Sequence, residues 1–298
     1  MLPRFPLYIP TKGRADTRLT SRALERMGIP HLLVVEEQEV AAYVGAGCPL
    51  SRLLVLDKSY QEQYDTCDDL GASKSRGPGP ARNFIWAHAI SAGHQWHWVM
   101  DDNIRAFYRL NRNLKVPCES PAFFRAMEDF VLRYENIAMA GPNYFMFASR
   151  KTQMPPFVMN TRIYSCNLIR NDIPLRWRGR YNEDTILSLD MLKAGWCTVQ
   201  FNAFLQEKLR TQTLGGGNTA EFYAREGTGP KSEMQVRVHP DVSRLTYRFG
   251  RVHHHVNYKV FKHGLVRKAD VAVADEVDDY GMTLEVDPNY TPRSRGRT

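Results

Sequence analysis

The segment Gly93–Phe107, which reads GHQWHWVMDDNIRAF, constrains the fold most strongly, because an apolar run leads directly into two acids and an amide. Residues 96–100 have the pattern of a buried strand, and Asp101, Asp102 and Asn103 follow at its carboxyl end. Ligands of open α/β sheets bind beyond the carboxyl ends of the strands. Buried carboxylates are costly unless positive charge or water faces them. The segment therefore predicts a functional site whose acids meet a metal ion, an arginine or solvent.

The first hundred residues alternate between strand and helix patterns. Apolar runs predict strands at Leu7–Pro10, His31–Val35 and Arg52–Leu56. Between the first two strands, an amphipathic pattern predicts a helix with Asp16 as its cap and Gly28 as its stop. This β-α-β-α-β order predicts an α/β fold, with a mostly parallel sheet, right-handed crossovers and flanking helices.

The later part of the chain gives further elements with clear ends. Pro80 suits the first turn of a helix that stops at Gly93, and Asn182 suits the cap of a helix that stops at Gly195. The other predicted elements are a helix at Ala122–Tyr134 and strands at Ile137–Ala140, Thr161–Ile169 and Cys197–Phe201. Beyond the last strand the pattern weakens, and the glycine-rich run TLGGGNT at 213–219 is expected to be a flexible loop that closes over a ligand.

Composition limits the class of protein. The chain has 298 residues and a formal net charge of +8, which suits a polyanionic partner or an anionic substrate. Its five cysteines are scattered without a CxxC pair, so neither a disulfide framework nor a structural zinc site is expected. No apolar run approaches the ~18 residues of a membrane span, and the N-terminus lacks a secretion signal. A cytoplasmic protein without a membrane partner is therefore expected.

A candidate nucleotide site follows the first strand, in the sequence YIPTKGRA. Pro10 ends that strand, and Thr11, Lys12 and Arg14 place a hydroxyl and two cations where an anionic nucleotide would rest. By itself this pattern also fits a helix start with surface charges. The P-loop pattern GxxxxGK[ST] does not occur in the sequence, which disfavours ATPase chemistry.

A candidate metal site is indicated by Asp101, Asp102 and Asn103. Their hard oxygen atoms suit Mg²⁺ or Mn²⁺ held together with a diphosphate. Arg82 and Asn83 lie in the first turn of the preceding predicted helix. A cation, an amide and two carboxylates are therefore expected to converge on one rim, although a solvated turn is the plain alternative.

Acids and histidines later in the chain give two more candidate groups. Glu183 and Asp184 begin a predicted helix, whose dipole stabilises them as carboxylates and would also keep a catalytic base ionised. In RVHHHVNY, His253, His254 and His255 are candidate metal ligands. If the segment is extended, the first and third imidazoles share a face and the middle one points away. The sequence does not single out one of the three.

These motifs, taken in order, resemble the GT-A glycosyltransferases: a strand ending in VMDDN, an upstream ARN helix, the later NEDTILSLDMLKAG helix and a late histidine. More closely, YIPTKGRA, WVMDDNIRAF and RVHHHVNY resemble the TET-associated glycosyltransferase family, from about Tyr8 to Tyr258. That family occurs largely in bacterial viruses, in the cytoplasm of the infected host, and is taken to glycosylate 5-hydroxymethylcytosine in DNA.

The resemblance also implies domain bounds and substrates. A single GT-A-like, Rossmann-type domain is expected at 1–265, with a nucleotide-binding half at about 1–110 and an acceptor half at about 111–265. A C-terminal extension with a partly disordered tail is expected at 266–298. The family further implies a UDP-sugar as donor and Mn²⁺ or Mg²⁺ as cofactor.

Site roles follow from the resemblance by position. Asp101 matches the acid that meets the ribose of the donor, and the metal position falls on Asn103 or Asp102. An amide ligates a metal without contributing charge, so Asn103 departs from the usual acid and weaker metal binding is expected. Asp184 matches the base of inverting members. The nucleotide-binding positions of the family are matched by Thr11 and Arg14.

The resemblance implies DNA carrying 5-hydroxymethylcytosine as the acceptor, and one basic run agrees with it. Basic and aromatic side chains interleave in RWRGRY, directly before the candidate base. Such residues bind phosphates and stack on bases, and a target base in a duplex must be flipped out. The candidate DNA-binding residues are Arg176, Trp177, Arg178, Arg180 and Tyr181. A protein or glycan acceptor and a sugar-phosphate nucleotidyltransferase are the alternatives, and neither the sugar nor the oligomeric state is indicated.

Overall fold

The computed structural model describes residues 1–68, 77–149, 151–209, 229–248 and 250–271. The strands are β1 Leu7–Pro10, β2 Leu32–Val35, β3 Leu53–Val55, β4 Trp96–Met100, β5 Ile104–Asn111, β6 Leu114–Pro117, β7 Ile137–Tyr144, β8 Phe157–Met159, β9 Cys166–Arg170, β10 Cys197–Lys208, β11 Ser243–Arg248 and β12 Arg251–Val256. The helices are α1 Leu19–Arg26, α2 Val40–Gly45, α3 Ser59–Glu62, α4 Gly79–Ser91, α5 Ala122–Val131, α6 Glu183–Lys193 and α7 Gly229–Val238.

The main sheet has the strand order β3-β2-β1-β4-β9-β7-β10-β5-β6, with β8 paired to β10. The predicted α/β fold is confirmed, and β3, β2, β1 and β4 are parallel as expected. The other half is mixed, because β9 runs antiparallel to both of its neighbours and β5 and β6 form a hairpin. Arg112 and Asn113, the turn residues of that hairpin, both have positive φ, as tight two-residue turns require.

Strand β4 lies inside the sheet, and all five of its residues are buried. Side chains alternate across a strand, so β4 contributes to both faces. Trp98 packs in a core cluster with α1 and α5 on one face, whereas Val99 packs with α4 and α6 on the other. This burial from both sides explains why the apolar run of residues 96–100 is continuous. It also fixes the position of the acids that follow.

Two predicted helix caps are wrong. Helix α1 begins at Leu19 after Arg18, which has a φ of 34°, so Asp16 does not cap it. Asn182 precedes α6 with a φ of 56°, and its side chain makes no capping bond. That amide instead donates a hydrogen bond to the carbonyl oxygen of Lys231, 2.8 Å away. A tertiary contact therefore takes the place of the local cap.

The predicted glycine stops and the first strands agree with the structure, whereas some later bounds differ. Strands β1 and β4 have the expected bounds, and Gly28 and Gly195 end their helices with positive φ. The strand expected at 161–169 begins only at Cys166. Strand β10 continues to Lys208, well beyond the expected end at residue 201. That extension brings a further cation to the edge of the sheet described below.

The C-terminal elements were not predicted. Strands β11 and β12 form a separate two-stranded hairpin that packs against α7. The expected loop at 213–219 and the expected tail beyond residue 271 lie outside the described residues. Within the described part of the chain, no helix has the length and apolar character needed to cross a membrane.

Candidate active site

The guanidinium of Arg82 joins the end of β4 to the start of α6. Arg82 lies in the first turn of α4, is 1% exposed and packs over the ring of Trp177. Its Nη2 atom is 2.7 Å from Oδ1 of Asp101. Its Nη1 atom is 2.8 Å from Oδ1 of Asp184 and 3.3 Å from Oε1 of Glu183. The planar, permanently charged fork therefore holds three carboxylates from two elements.

Asp101 also contacts a cation that the sequence did not predict. The Nζ atom of Lys208, at the end of β10, lies 2.5 Å from Oδ2 of Asp101 and 3.0 Å from Oγ of Ser165. Burial alone would raise the pKa of the Asp101 carboxyl. The charges of Lys208 and Arg82 outweigh that effect and hold this pKa well below its usual range. Asp101 is therefore a carboxylate at neutral pH.

Asp102 contacts the loop that follows β1. Thr11 donates a hydrogen bond of 2.9 Å to Oδ2 of Asp102, and the Nη1 atom of Arg14 forms an ion pair with Oδ1. The hydroxyl groups of Thr11 and Tyr43 are 2.7 Å apart, which extends the network to α2. Burial raises the pKa of Asp102, and Arg14 and Thr11 oppose that effect. The structure thus brings the candidate nucleotide residues and the strand-end acid together.

The remaining candidates of this rim point elsewhere. Lys12 is half exposed and forms an ion pair with Glu36 at 3.1 Å, while Pro10 ends β1 as expected. The side chain of Asn83 both donates to and accepts from the backbone of Trp177, each at 2.9 Å. Asn83 therefore fixes the segment that carries Trp177 and is not directed at the acids.

The acids of β4 do not fit a preformed divalent cation site. Both oxygens of Asp101 contact cations of this chain, and those of Asp102 contact Arg14 and a threonine hydroxyl. The side-chain oxygen of Asn103 is buried and has no hydrogen-bond partner. Across the described ranges, no group of three or more His, Cys, Asp or Glu side chains is arranged to hold a metal. A metal ion would bind here only after Lys208 or Arg14 moved away.

The three histidines lie on β12, in the separate hairpin. His253 and His255 share one face and His254 lies on the other, as the strand pattern predicts. Burial is the main cause that lowers the pKa of His254 to about 4, and Lys231 and Arg162 lower it further. His254 is therefore neutral at pH 7. The metal-binding role of these imidazoles stays a prediction.

Asp184 has the properties of a base that works near neutral pH. Burial is the largest cause that raises its pKa to about 7, and Glu183 and Asp101 add to this against the opposing charge of Arg82. The Nδ2 atom of Asn167 lies 3.4 Å from the same oxygen that contacts Arg82. The side chain is 14% exposed, so a substrate can still reach it. A carboxylate with this pKa can accept a proton from a hydroxyl group.

Two of the three arginines of the RWRGRY run form ion pairs within the protein. Arg178 forms two contacts of 2.8 Å with Asp190 of α6. Arg180 is 2.6 Å from Asp68, and both side chains are almost fully buried. These arginines hold the segment before α6 in place and do not form an exposed basic surface.

The aromatic members of the run are also inside the protein. Trp177 is 1% exposed beneath Arg82, and Tyr181 is 5% exposed. Arg176 stacks on the ring of Trp86 and donates to nearby carbonyl oxygens. Stacking on a DNA base requires an open ring face, which these side chains do not offer in this conformation.

Several site residues were missed by sequence reasoning. The most important are Lys208, Ser165, Asn167 and Lys231. The apolar run Ala203–Leu205, which continues the strand pattern beyond residue 202, was the available signal for the longer β10 that carries Lys208. Ser165 has a φ of 59° and its carbonyl accepts a hydrogen bond from the backbone of Asp101. No local sequence pattern predicts the contact of Ser165 with Asp101, because that contact depends on β9 lying between β4 and β7.

Comparison with known proteins agrees with this geometry. The family model described as TET-Associated Glycosyltransferase matches residues 5–217. The match contains all the residues of the Arg82 network and ends before the β11–β12 hairpin, so it is shorter than the likeness to Tyr258 expected from the motifs. No curated protein matches the chain. Because the matched range exceeds two thirds of the chain, the protein belongs to the TET-associated glycosyltransferase family and is a glycosyltransferase.

Proposed function

We propose that this enzyme transfers a sugar from a UDP-sugar to the hydroxyl group of 5-hydroxymethylcytosine in DNA, with inversion at the anomeric carbon. One observation carries the proposal. Asp184, a carboxyl whose pKa is raised to about 7, shares the guanidinium of Arg82 with Asp101 at the carboxyl end of β4. The candidate base therefore lies beside the edge of the sheet where a nucleotide-sugar is expected to bind.

The donor side of the proposal depends on the strand-end residues. Thr11 and Arg14 follow β1, and Asp101 follows the neighbouring strand β4. The cations of Arg14 and Lys208 lie at the same edge, where they are suited to a diphosphate. Positive charge at this place stabilises the negative charge that builds up on the leaving diphosphate.

The acceptor step needs one proton transfer and one displacement. Asp184 takes the proton of the hydroxymethyl group, and the oxygen forms a bond to the anomeric carbon from the face opposite the diphosphate. The bond between that carbon and the diphosphate oxygen breaks, and its electron pair leaves with UDP. The sugar is therefore expected to change its anomeric configuration, and a product with retained configuration would exclude this single displacement.

The metal requirement stays a prediction. A bound Mn²⁺ or Mg²⁺ would supply positive charge to the leaving diphosphate. The acids are paired with cations of this chain in the described conformation, so no step of the proposed mechanism depends on a metal.

The DNA acceptor is supported by the family and by charge. The description of the family associates it with TET, in agreement with the 5-hydroxymethylcytosine acceptor that the resemblance implies. The chain has a net charge of +8, which suits a polyanionic substrate. Both observations support the acceptor, and neither identifies the sugar.

Mass spectrometry of digested DNA tests the proposal. The enzyme is incubated with a panel of UDP-sugars and with matched duplexes that contain cytosine or 5-hydroxymethylcytosine. We expect a mass gain of one sugar only on the hydroxymethylated nucleoside, and loss of that gain in Asp184→Asn. Transfer to a protein or a free glycan, with no gain on either duplex, would replace the DNA assignment with another acceptor.

A further inference from the structure

The β11–β12 hairpin carries its charged side chains on one face. The opposite face packs on the protein: Ser243 contacts Gln235 of α7, and Val256 packs against α6. Because side chains alternate along each strand, the other face points away from α7. We call it the basic face, and it consists of Arg244, Thr246, Arg248, Arg251, His253 and His255.

The basic face has cations and no acids. Arg244, Arg248 and Arg251 are exposed. Residues 243–256 contain no Asp or Glu. Asp241, directly before β11, is in an ion pair with Lys193 at 2.6 Å. The face is thus a strip of positive charge along the length of the hairpin.

The arrangement of two arginines opposes the stability of the hairpin. Arg248 and Arg251 are directly opposite each other at the end of the ladder. Like charges in cross-strand positions destabilise a sheet. Arg251 donates a hydrogen bond of 3.2 Å to Nε2 of His253, which does not neutralise the charge of either arginine. A local arrangement that costs stability is typical of a functional site. An anion that contacts both guanidinium groups would remove this repulsion.

The hairpin lies next to the candidate base. The pKa of His254, on the packed face, is lowered in part by the charge of Lys231 on α7. The charges of Glu183 and Asp184 act in turn on Lys231. The carbonyl oxygen of Lys231 also accepts the hydrogen bond from Asn182, directly before α6. The packed face of the hairpin is therefore connected through α7 to the start of α6.

We propose that the basic face of β11–β12 binds the phosphate backbone of the duplex that carries the acceptor base. This inference rests on the proposed function and adds the surface that holds its substrate. Two-stranded ribbons fit the major groove of DNA, which is about 12 Å wide. Strands of six residues extend about 20 Å, enough for several successive phosphates. The hairpin thus offers three exposed arginines to a duplex, whereas in the RWRGRY run two arginines are ion-paired and both aromatic rings are buried.

Salt-dependent binding of the apoprotein to DNA tests this surface. The variant Arg244→Gln with Arg248→Gln and Arg251→Gln is compared with the wild type by fluorescence anisotropy on duplexes with cytosine or 5-hydroxymethylcytosine. Three lost phosphate contacts should reduce the slope of log K against log salt by about 2–3 and weaken binding at least about tenfold at 0.1 M salt. Both duplexes should be affected equally, because phosphate contacts do not read the base.

A matched variant controls for net charge. Arg22→Gln with Arg26→Gln and Arg112→Gln removes three exposed cations from α1 and the β5–β6 turn. Helix α1 packs on the face of the sheet opposite α6. This variant should keep the wild-type salt slope. An equal loss of slope in both triple variants would assign the effect to overall charge and overturn the proposal.

A double variant distinguishes loss of DNA binding from loss of folding. Arg248→Gln with Arg251→Gln removes the like-charge pair, so its Tm should equal or exceed that of the wild type while DNA binding weakens. Unchanged DNA affinity in this variant and in the hairpin triple variant would overturn the inference. Weakened binding of UDP in place of DNA would assign these cations to the donor and would also overturn it.

Failure of the DNA-binding surface can be distinguished from failure of the proposed function. Binding is measured without donor or turnover, whereas sugar transfer is measured by mass spectrometry. If no DNA is glycosylated and the hairpin variant still loses the salt slope, the surface stands and the acceptor assignment fails. If 5-hydroxymethylcytosine is glycosylated and the hairpin variant binds DNA as the wild type does, only the surface is wrong.

Discussion

At the scale of single residues, Asp184 determines the chemistry proposed for the site. Its carboxyl is held by Arg82 and Asn167, and burial raises its pKa to about 7. A base must be unprotonated to accept a proton. The rate should therefore rise with pH through that pKa and level off above it. Because Glu183 and Asp101 interact with Asp184, the measured value belongs to the group of acids.

Replacement of the base is the direct test of this role. Asp184→Asn should reduce turnover by about 10²–10⁴-fold and abolish the rise of the rate with pH, because an amide accepts no proton at these pH values. Binding of the UDP-sugar, measured by calorimetry, should stay close to that of the wild type. Asp241→Asn, which changes an exposed acid that pairs with Lys193 of α6, is the control and should retain most turnover. Near-normal turnover in Asp184→Asn would show that another group is the base.

Arg82 is the residue on which the geometry of the site depends. Removal of one partner from a buried ion pair typically costs about 3–5 kcal/mol, because the other charges stay buried without compensation. We expect a loss of this size in the free energy of unfolding of Arg82→Ala, measured with urea. Arg82→Lys should lose less of the free energy of unfolding, because lysine keeps the positive charge and lacks only the planar guanidinium group that contacts several carboxylates at once. Arg26→Ala, which breaks the exposed pair with Glu119, should cost only about 0.2–1 kcal/mol.

At the scale of secondary structure elements, the extension of β10 changes the electrostatics of the site. Its last residue, Lys208, brings an ammonium group to Asp101. A divalent metal at Asp101 must compete with that ammonium. Lys208→Met should therefore bind Mn²⁺ more tightly than the wild type, as measured by electron paramagnetic resonance of free Mn²⁺.

A second lysine variant serves as the control for the Mn²⁺ measurement. Lys193→Met removes a lysine that pairs with Asp241 at the surface and should leave Mn²⁺ binding unchanged. Tighter binding in Lys208→Met alone would identify Asp101 as a ligand. Absence of Mn²⁺ binding in both proteins, together with turnover in EDTA, would remove the metal from the reaction.

The elements of the parallel half were predictable from sequence because their signals are local. A continuous apolar run gave β4, and Gly28, Gly93 and Gly195 gave three helix ends, each with positive φ. Asp16 and Asn182 were wrong as caps because tertiary contacts, not local ones, decide those positions. The β5–β6 and β11–β12 hairpins were missed, although the residues of β11, SRLTYR, do alternate between polar and apolar side chains.

The candidate site shows the same limit. Asp101, Asp102 and Asp184 were predictable as its acids, since each follows a strand or begins a helix. Their cation partners Arg82 and Lys208 are separated from them by up to about a hundred positions in the chain. Which cation meets which acid depends on the strand order, in which β9 and β7 lie between β4 and β10. The ion pairs at the predicted metal position could not be read from the sequence for this reason, and the metal itself stays a prediction.

At the scale of the whole molecule, the position of the base restricts how a DNA substrate is presented. The side chain of Asp184 is 14% exposed and lies between the end of β4 and the start of α6. A hydroxymethyl group that is still stacked in a duplex cannot enter such a recess. The target nucleotide must therefore leave the stack, which costs a few kcal/mol and less for a mismatched or unpaired base.

Relative rates on matched DNA substrates test this requirement. We expect kcat/KM for 5-hydroxymethylcytosine to increase in the order paired with guanine, mismatched and single-stranded, if flipping limits the reaction. The gain should reach about tenfold for each 1.4 kcal/mol of flipping energy that is removed. The hairpin variant lacking Arg244, Arg248 and Arg251 is the comparison protein, because it should lose phosphate contacts equally on the paired and the mismatched duplex and so keep the ratio of their kcat/KM values. Equal kcat/KM on the paired and mismatched duplexes would mean that the base is reached without flipping, and that the recess around Asp184 opens when DNA binds.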